Sequence, residues 1–118
     1  GDGTIAPYNH WRPAGKGDEH VLATGVGGVL YPPDALHPDV TNATLFSKLC
    51  PTADDLWLCW MAYRHGTPVT TVPGYRRPIT WIGSQTFALN QINVIGGEND
   101  VAIRALVQAF GDLTSLRD

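Results

Sequence analysis

The sequence predicts an α+β domain: a small mixed sheet of short strands packed by about three to four helices. Two observations carry that expectation. Residues 49–66 read as a capped helix with a buried stripe, and several short β-branched or glycine-flanked runs, at Val21–Ala23, Val29–Tyr31, Thr67–Val72 and Ile79–Ile82, read as strands bounded by turn residues.

The helix is the best-specified element. Thr52 and Asp55 stand in the spacing of a capping box, Pro51 precedes them where no helical amide is lost, and Arg64, His65 and Gly66 supply a positively charged end and a left-handed stop. Leu56, Cys59, Trp60 and Tyr63 recur at i, i+3, i+4 and i+7, the buried stripe of such a helix. A box needs one acid, and Asp54 is a second. It either adds to the dipole interaction at the helix start or stands as a fixed base at the edge of a pocket.

The remaining elements follow in order. Residues 1–20 are aperiodic, with Tyr8-Asn9-His10-Trp11-Arg12-Pro13 as an aromatic cluster that either anchors a loop or stacks on a ligand. Gly25, Gly27 and Gly28 separate the first two strand candidates, and Pro32-Pro33 stops the second; the glycines match neither a phosphate loop nor a dinucleotide fingerprint. Residues 34–39 read as a turn. Thr41 or Asn42 caps a short helix through Leu49, with Leu45, Phe46 and Leu49 on one side. After the main helix come the strand run at Thr67–Val72, a turn-rich connection with Arg76-Arg77, the strand candidate at Ile79–Ile82, and a weak amide-rich helix from Ser84 or Thr86 through Asn90. Asn99 is expected to cap a last amphipathic helix that turns Val101, Ala105, Leu106, Ala109 and Phe110 inward and ends before Gly111.

A length of 118 residues fits a single domain over residues 1–118. The formal charge of −3 lacks the basic footprint of a nucleic-acid binder, and no apolar run approaches a membrane span. Cys50 and Cys59 read as small apolar residues in a reducing, cytoplasmic setting. The His and Cys spacings contain no zinc-ligand pair, and neither cysteine sits in a nucleophile elbow.

Taken in order, Tyr8-Asn9-His10-Trp11, Thr24 through Pro33, Cys50-Pro51-Thr52-Ala53-Asp54-Asp55-Leu56-Trp57, and Asn93, Gly96 and Asn99-Asp100 resemble successive motifs of bacterial glycosyltransferases that build capsule and surface polysaccharides on the A-type glycosyltransferase fold. The resemblance covers most of the chain and implies the acceptor-side half of that fold. It implies that the glycine segment shapes the sugar pocket and that an acidic pair at a helix start supplies the base for inverting transfer. Carried over residue by residue, Asp54 and Asp55 are the candidate catalytic pair. Gly25, Gly27, Gly28, Tyr8, Trp11, Asn93 and Asp100 are the candidate substrate-binding residues. The box uses Asp55, which leaves Asp54 as the free base; the family pattern often favours the second acid, and both stay open.

The Asp-x-Asp motif that holds a divalent metal in such enzymes is absent, as is any histidine after His65. No metal is therefore expected on this chain, and metal and nucleotide sugar are expected only with a missing nucleotide-binding half. The chain alone should bind a saccharide acceptor or nucleotide sugar weakly and transfer nothing. The alternative is a non-catalytic carbohydrate-binding or protein-interaction module, self-associating to cover the apolar surface that half a fold exposes.

Overall fold

The structure is a computed structural model that describes residues 23, 28–70, 74, 79, 82–83 and 97–113. Its regular elements are a 3-10 turn at Pro38–Thr41 and three helices, α1 (Ala43–Leu49), α2 (Asp54–Arg64) and α3 (Glu98–Phe110).

No strand occurs among the described residues, which are helical where they are regular, so the expected mixed sheet is not seen in them. A run of β-type residues becomes a strand only when a neighbour takes its amides and carbonyls, and the described parts of these runs spend theirs elsewhere or stand in water. Leu30 is 92% exposed, and Ile79 and Ile82 are fully open. Thr67, the first residue of the expected post-helix strand, gives its amide to the Ala62 carbonyl at 3.0 Å and its hydroxyl to the Ala35 carbonyl. Residues 21–22, 71–72 and 80–81 lie outside the described residues, as does the expected helix from Ser84 through Asn90.

Asn42 joins the 3-10 turn to α1. Its amide donates to the Asp39 carbonyl at 2.9 Å and closes the turn, while its Oδ1 accepts the Leu45 amide at 3.1 Å and opens the helix. Cys50 is the next joint. Its amide donates to Phe46 at 2.8 Å to end α1, and its carbonyl accepts the Ala53 amide at 3.3 Å across a turn containing Pro51 and Thr52. That turn displaces the start of α2 by one residue from the capping-box expectation. Ala53 is the N-cap, with φ −136° and ψ 67°, and has no side chain with which to cap; Asp54 and Asp55 become the first two helical residues.

At its other end α2 stops as the sequence predicts. Gly66 adopts φ +73°, the Gly66 amide donates to the Tyr63 carbonyl at 3.0 Å, and the Thr67 amide donates to Ala62, the paired bonds of a Schellman motif.

The expected stripe of α2 is buried, and so is most of the remaining circumference: Trp57, Met61 and Ala62 join Leu56, Cys59, Trp60 and Tyr63 inside. The helix is a central strut packed by the 3-10 turn and by α3, and α1 bridges these two neighbours. Two indoles bolt it to both neighbours. Trp57 Nε1–H donates to the Val40 carbonyl at 3.1 Å, and Trp60 Nε1–H donates to the Gly111 carbonyl at 3.0 Å. Arg64 ties the lower end, with Nη1 donating to Asp39 Oδ2 at 3.0 Å and its guanidinium 4.0 Å from the centre of the Phe110 ring.

The third helix begins at Gly97, in the left-handed region at φ +78°, two residues before the expected Asn99 cap. Its inward face is Asn99, Ala102, Ile103 and Leu106, turned by about one residue from the expected face; of the five residues expected inside, only Leu106 is fully buried, and Val101 and Ala109 are exposed. Gly111 ends the helix as expected.

Trp60 is completely buried, so Trp60→Phe both shrinks the core and leaves the Gly111 carbonyl without its donor. The expected cost is about 2–3 kcal/mol in urea unfolding at unchanged m-value, and a cost under about 0.5 kcal/mol would remove the indole from the set of structural ties. A Cβ at Gly66 meets nothing within 4 Å, so Gly66→Ala should cost only the left-handed backbone penalty of about 1–2 kcal/mol.

Candidate functional site

The amino-terminal end of α2 lies beside an open cleft of about 260 Å³. One wall comes from the 3-10 turn and α1, with Val40, Thr41, Ala43 and Phe46; the other comes from α2, with Asp54, Trp57 and Leu58. The aromatic rings meet edge to face, Phe46 and Trp57 having centroids 5.6 Å apart. The cleft exists because Trp57 is pulled towards Val40 by its indole hydrogen bond while Asn42 turns the chain away into α1.

The acid pair divides its work differently from the capping-box expectation. Asp54 Oδ1 accepts the Asp55 amide at 3.1 Å, satisfying one of the amides that a helix start leaves without an intrahelical partner. Its Oδ2 has no hydrogen bond among the described residues, and the residue is exposed on the rim of the cleft. Asp55 is half-buried on another side of the helix start.

Tyr31, which sequence reasoning did not single out as a site residue, joins this end of the helix. Its phenol is raised above its ordinary pKa by burial first and then by Coulombic interaction with Asp55, Cys59 and Asp54, which puts it within electrostatic reach of both carboxylates. The signal was present in Pro32-Pro33: the Ala35 amide closes a turn on the Pro32 carbonyl at 3.2 Å, with Asp34 at φ +60°, and directs the preceding segment.

The other predicted site residues are not brought together with the pair. Gly28 is exposed at φ +89° and a Cβ there would meet nothing within 4 Å, so no close approach to another group explains it. Asp100 lies in the first turn of α3, half-buried, and does not line the cleft. Tyr8, Trp11, Gly25, Gly27 and Asn93 lie outside the described residues.

Neither thiol is a nucleophile at neutral pH. Burial pushes Cys50 from 9.0 up to about 12, and burial together with the nearby Asp55 charge does the same to Cys59. Among the described residues no group of three or more His, Cys, Asp and Glu side chains could hold a metal ion, and no helix is long and apolar enough to cross a membrane.

No protein-family model, curated protein or solved structure matches the chain.

Because the folded state holds both thiols protonated to about pH 12 and the unfolded chain releases them near 9, their contribution is complete below pH 9 and is lost as pH rises from there. Stability should fall by up to about 1.4 kcal/mol per pH unit for each thiol across that window. Urea unfolding at neutral pH and at about pH 10.5 should show the loss, and Cys50→Ala and Cys59→Ala should each flatten the slope. Thiol-directed reagents at neutral pH should label neither cysteine until the chain unfolds.

Proposed function

We propose that the chain is the acceptor-side part of a bacterial surface-polysaccharide glycosyltransferase, acting in the cytoplasm, in which Asp54 takes the proton of an acceptor hydroxyl as sugar is transferred from a nucleotide sugar. The observation that carries this reading is the placement of Asp54: it is the first residue of a helix held by its neighbours along most of its length, with one carboxylate oxygen on the Asp55 amide and the other on the rim of a cleft. The ordered sequence motifs support the same reading, as do two buried, free cysteines for a reducing compartment.

The chemistry asks little more of this half. In an inverting transfer a carboxylate removes the acceptor proton on one face of the donor sugar while the diphosphate departs on the other, so a single well-mounted base is sufficient here. A divalent metal would stabilise the departing diphosphate and enters the proposal only with a nucleotide-binding part that carries its ligands. Asp55, whose charge helps raise the Tyr31 phenol and the Cys59 thiol, contributes to the field around the base and does not line the cleft.

A second reading is favoured by one observation. Most of the cleft wall is apolar, which also suits a non-catalytic module that recognises a saccharide or a protein segment, with Asp54 acting only at the helix start.

Asp54→Asn separates the two. Asn keeps an oxygen for the Asp55 amide, so stability should fall by less than about 1 kcal/mol from the lost charge–dipole interaction. Sugar transfer by the full-length gene product, supplied with nucleotide sugars, a divalent metal and saccharide acceptors, should fall by about a hundredfold or more. Transfer at the wild-type rate in Asp54→Asn would remove the base assignment, and saccharide binding without any transfer would favour the second reading.

A further inference from the structure

The 3-10 turn that supplies Val40 and Thr41 to the cleft is closed at its start by a group that stops capping when it takes up a proton. His37 is the N-cap of the turn, and its Nδ1 accepts the Asp39 amide at 3.0 Å. An imidazole nitrogen accepts only through its lone pair, so the ring in this arrangement is neutral and carries its proton on Nε2. Protonation puts a hydrogen on Nδ1, and the acceptor becomes a donor facing another donor. A new acceptor is close by. Asp39 Oδ2 lies 3.7 Å from the same Nδ1, too long for a hydrogen bond here but within reach of a small ring rotation. That oxygen also accepts Arg64 Nη1 at 3.0 Å. The His37 backbone is fixed by its amide on the Met61 carbonyl at 3.1 Å, so the side chain is the part that can move.

The groups around the ring decide whether the second arrangement is tolerated. From its own turn Asp39 faces it; from α2, Arg64 reaches the same carboxylate, and the His65 ring stands edge-on with centroids 6.4 Å apart. On α1, which also packs against the turn, the one titratable side chain is Lys48, exposed in the last turn of that helix, and Asp34 is exposed in the preceding turn. A positive charge on His37 is opposed by Arg64. It is favoured by Asp39 and by the carboxyl-terminal end of α2, where His65 is the C-cap and the helix dipole attracts cations. We propose that His37 is a proton-operated latch on the cleft wall: neutral, its Nδ1 caps the 3-10 turn; protonated, it turns to the Asp39 carboxylate and leaves the Asp39 amide to water. The effect reaches the cleft, because the same turn carries the Val40 carbonyl that holds the Trp57 indole and the Val40 and Thr41 side chains of the wall. The latch is independent of which ligand the cleft takes.

The test is an NMR titration of the full chain from about pH 8 to about pH 5, the range in which imidazoles ordinarily change charge. At the upper end the ¹⁵N shifts of the His37 ring should report the Nε2–H tautomer. As the ring protonates, the Asp39 amide should lose about fivefold in hydrogen-exchange protection after correction for the intrinsic rate, the loss of one ordinary hydrogen bond. The Trp57 indole signal should move with the same midpoint. His37→Asn keeps an acceptor at the N-cap and cannot titrate, so the Asp39 amide should stay protected throughout, in a chain shown to be folded by circular dichroism. His65→Gln should leave the transition in place. An Nδ1–H tautomer at about pH 8, a ring that stays neutral to about pH 5, or Asp39 protection that is unchanged while the ring protonates overturns the latch in the wild-type chain alone. A response that persists in His37→Asn, or that His65→Gln abolishes, assigns it to another group and overturns the latch as well, and a Trp57 indole that does not move overturns its reach to the cleft.

Discussion

A helix buried around most of its circumference can keep polar atoms only if each is given a partner, and that constraint organises the described part of this protein. From Leu56 to Tyr63, α2 leaves only Leu58 partly open to solvent. The indole of Trp57 is answered by Val40 in the 3-10 turn and that of Trp60 by Gly111 beyond α3, contacts 17 and 51 residues apart in the chain. Arg64 adds an ion pair with Asp39 and a stacked contact with Phe110. Each fully buried large apolar side chain contributes about 1.5–3 kcal/mol before ordering costs, so burial supplies the driving force while the indoles and Arg64 select which surfaces meet. The polar ties are few, and they reach the 3-10 turn and the end of α3.

The legible parts of this fold are those decided locally. Asn42 caps α1, and Gly66 and Gly111 stop their helices, because each acts through its own backbone and the residues within one turn. The stripe Leu56, Cys59, Trp60 and Tyr63 was legible for the same reason. What failed depended on partners. A capping box is a pattern of two side chains, and the turn through Cys50, Pro51 and Thr52 places the start of helical geometry one residue beyond it. In α3 the residues from Val101 to Phe110 are apolar nearly all round, so hydrophobic periodicity alone does not choose a face. The polar Arg104 and Gln108 mark the outer side and would have placed Val101 beside them. The strand runs failed because β-propensity states only that a residue suits a pleated neighbour, and Leu30 and Thr67 have none among the described residues.

The candidate site divides along the same line. Two adjacent acids at a helix start were readable, because the excess of one carboxylate over the needs of a cap is a local count. Their roles were not readable: with the helix start shifted by one residue, Asp54 accepts the Asp55 amide and also stands on the cleft. Phe46, Val40 and Leu58 carry no signature of a wall. They become one only when Trp57 draws the 3-10 turn against α2, and Tyr31 comes within electrostatic reach of the acid pair only after the turn at Pro32–Ala35.

These two halves of the architecture are spatially separable, which bears on how a base on α2 would be kept in place. Arg64 and the Schellman end hold one terminus of the helix, the indoles tie it along its length, and the terminus that carries Asp54 has an N-cap without a side-chain hydrogen bond, Ala53 being tied through its backbone alone. An Asp at that first position offsets the missing cap by taking the next amide, so the carboxylate is held without being surrounded. A carboxylate enclosed by several donors would be well positioned but poor at accepting a further proton, and one free in solvent would be basic but unplaced. With one oxygen bonded and one presented to the cleft, Asp54 is held without being enclosed, on a helix whose ties at Trp60 and Arg64 lie away from the cleft lining.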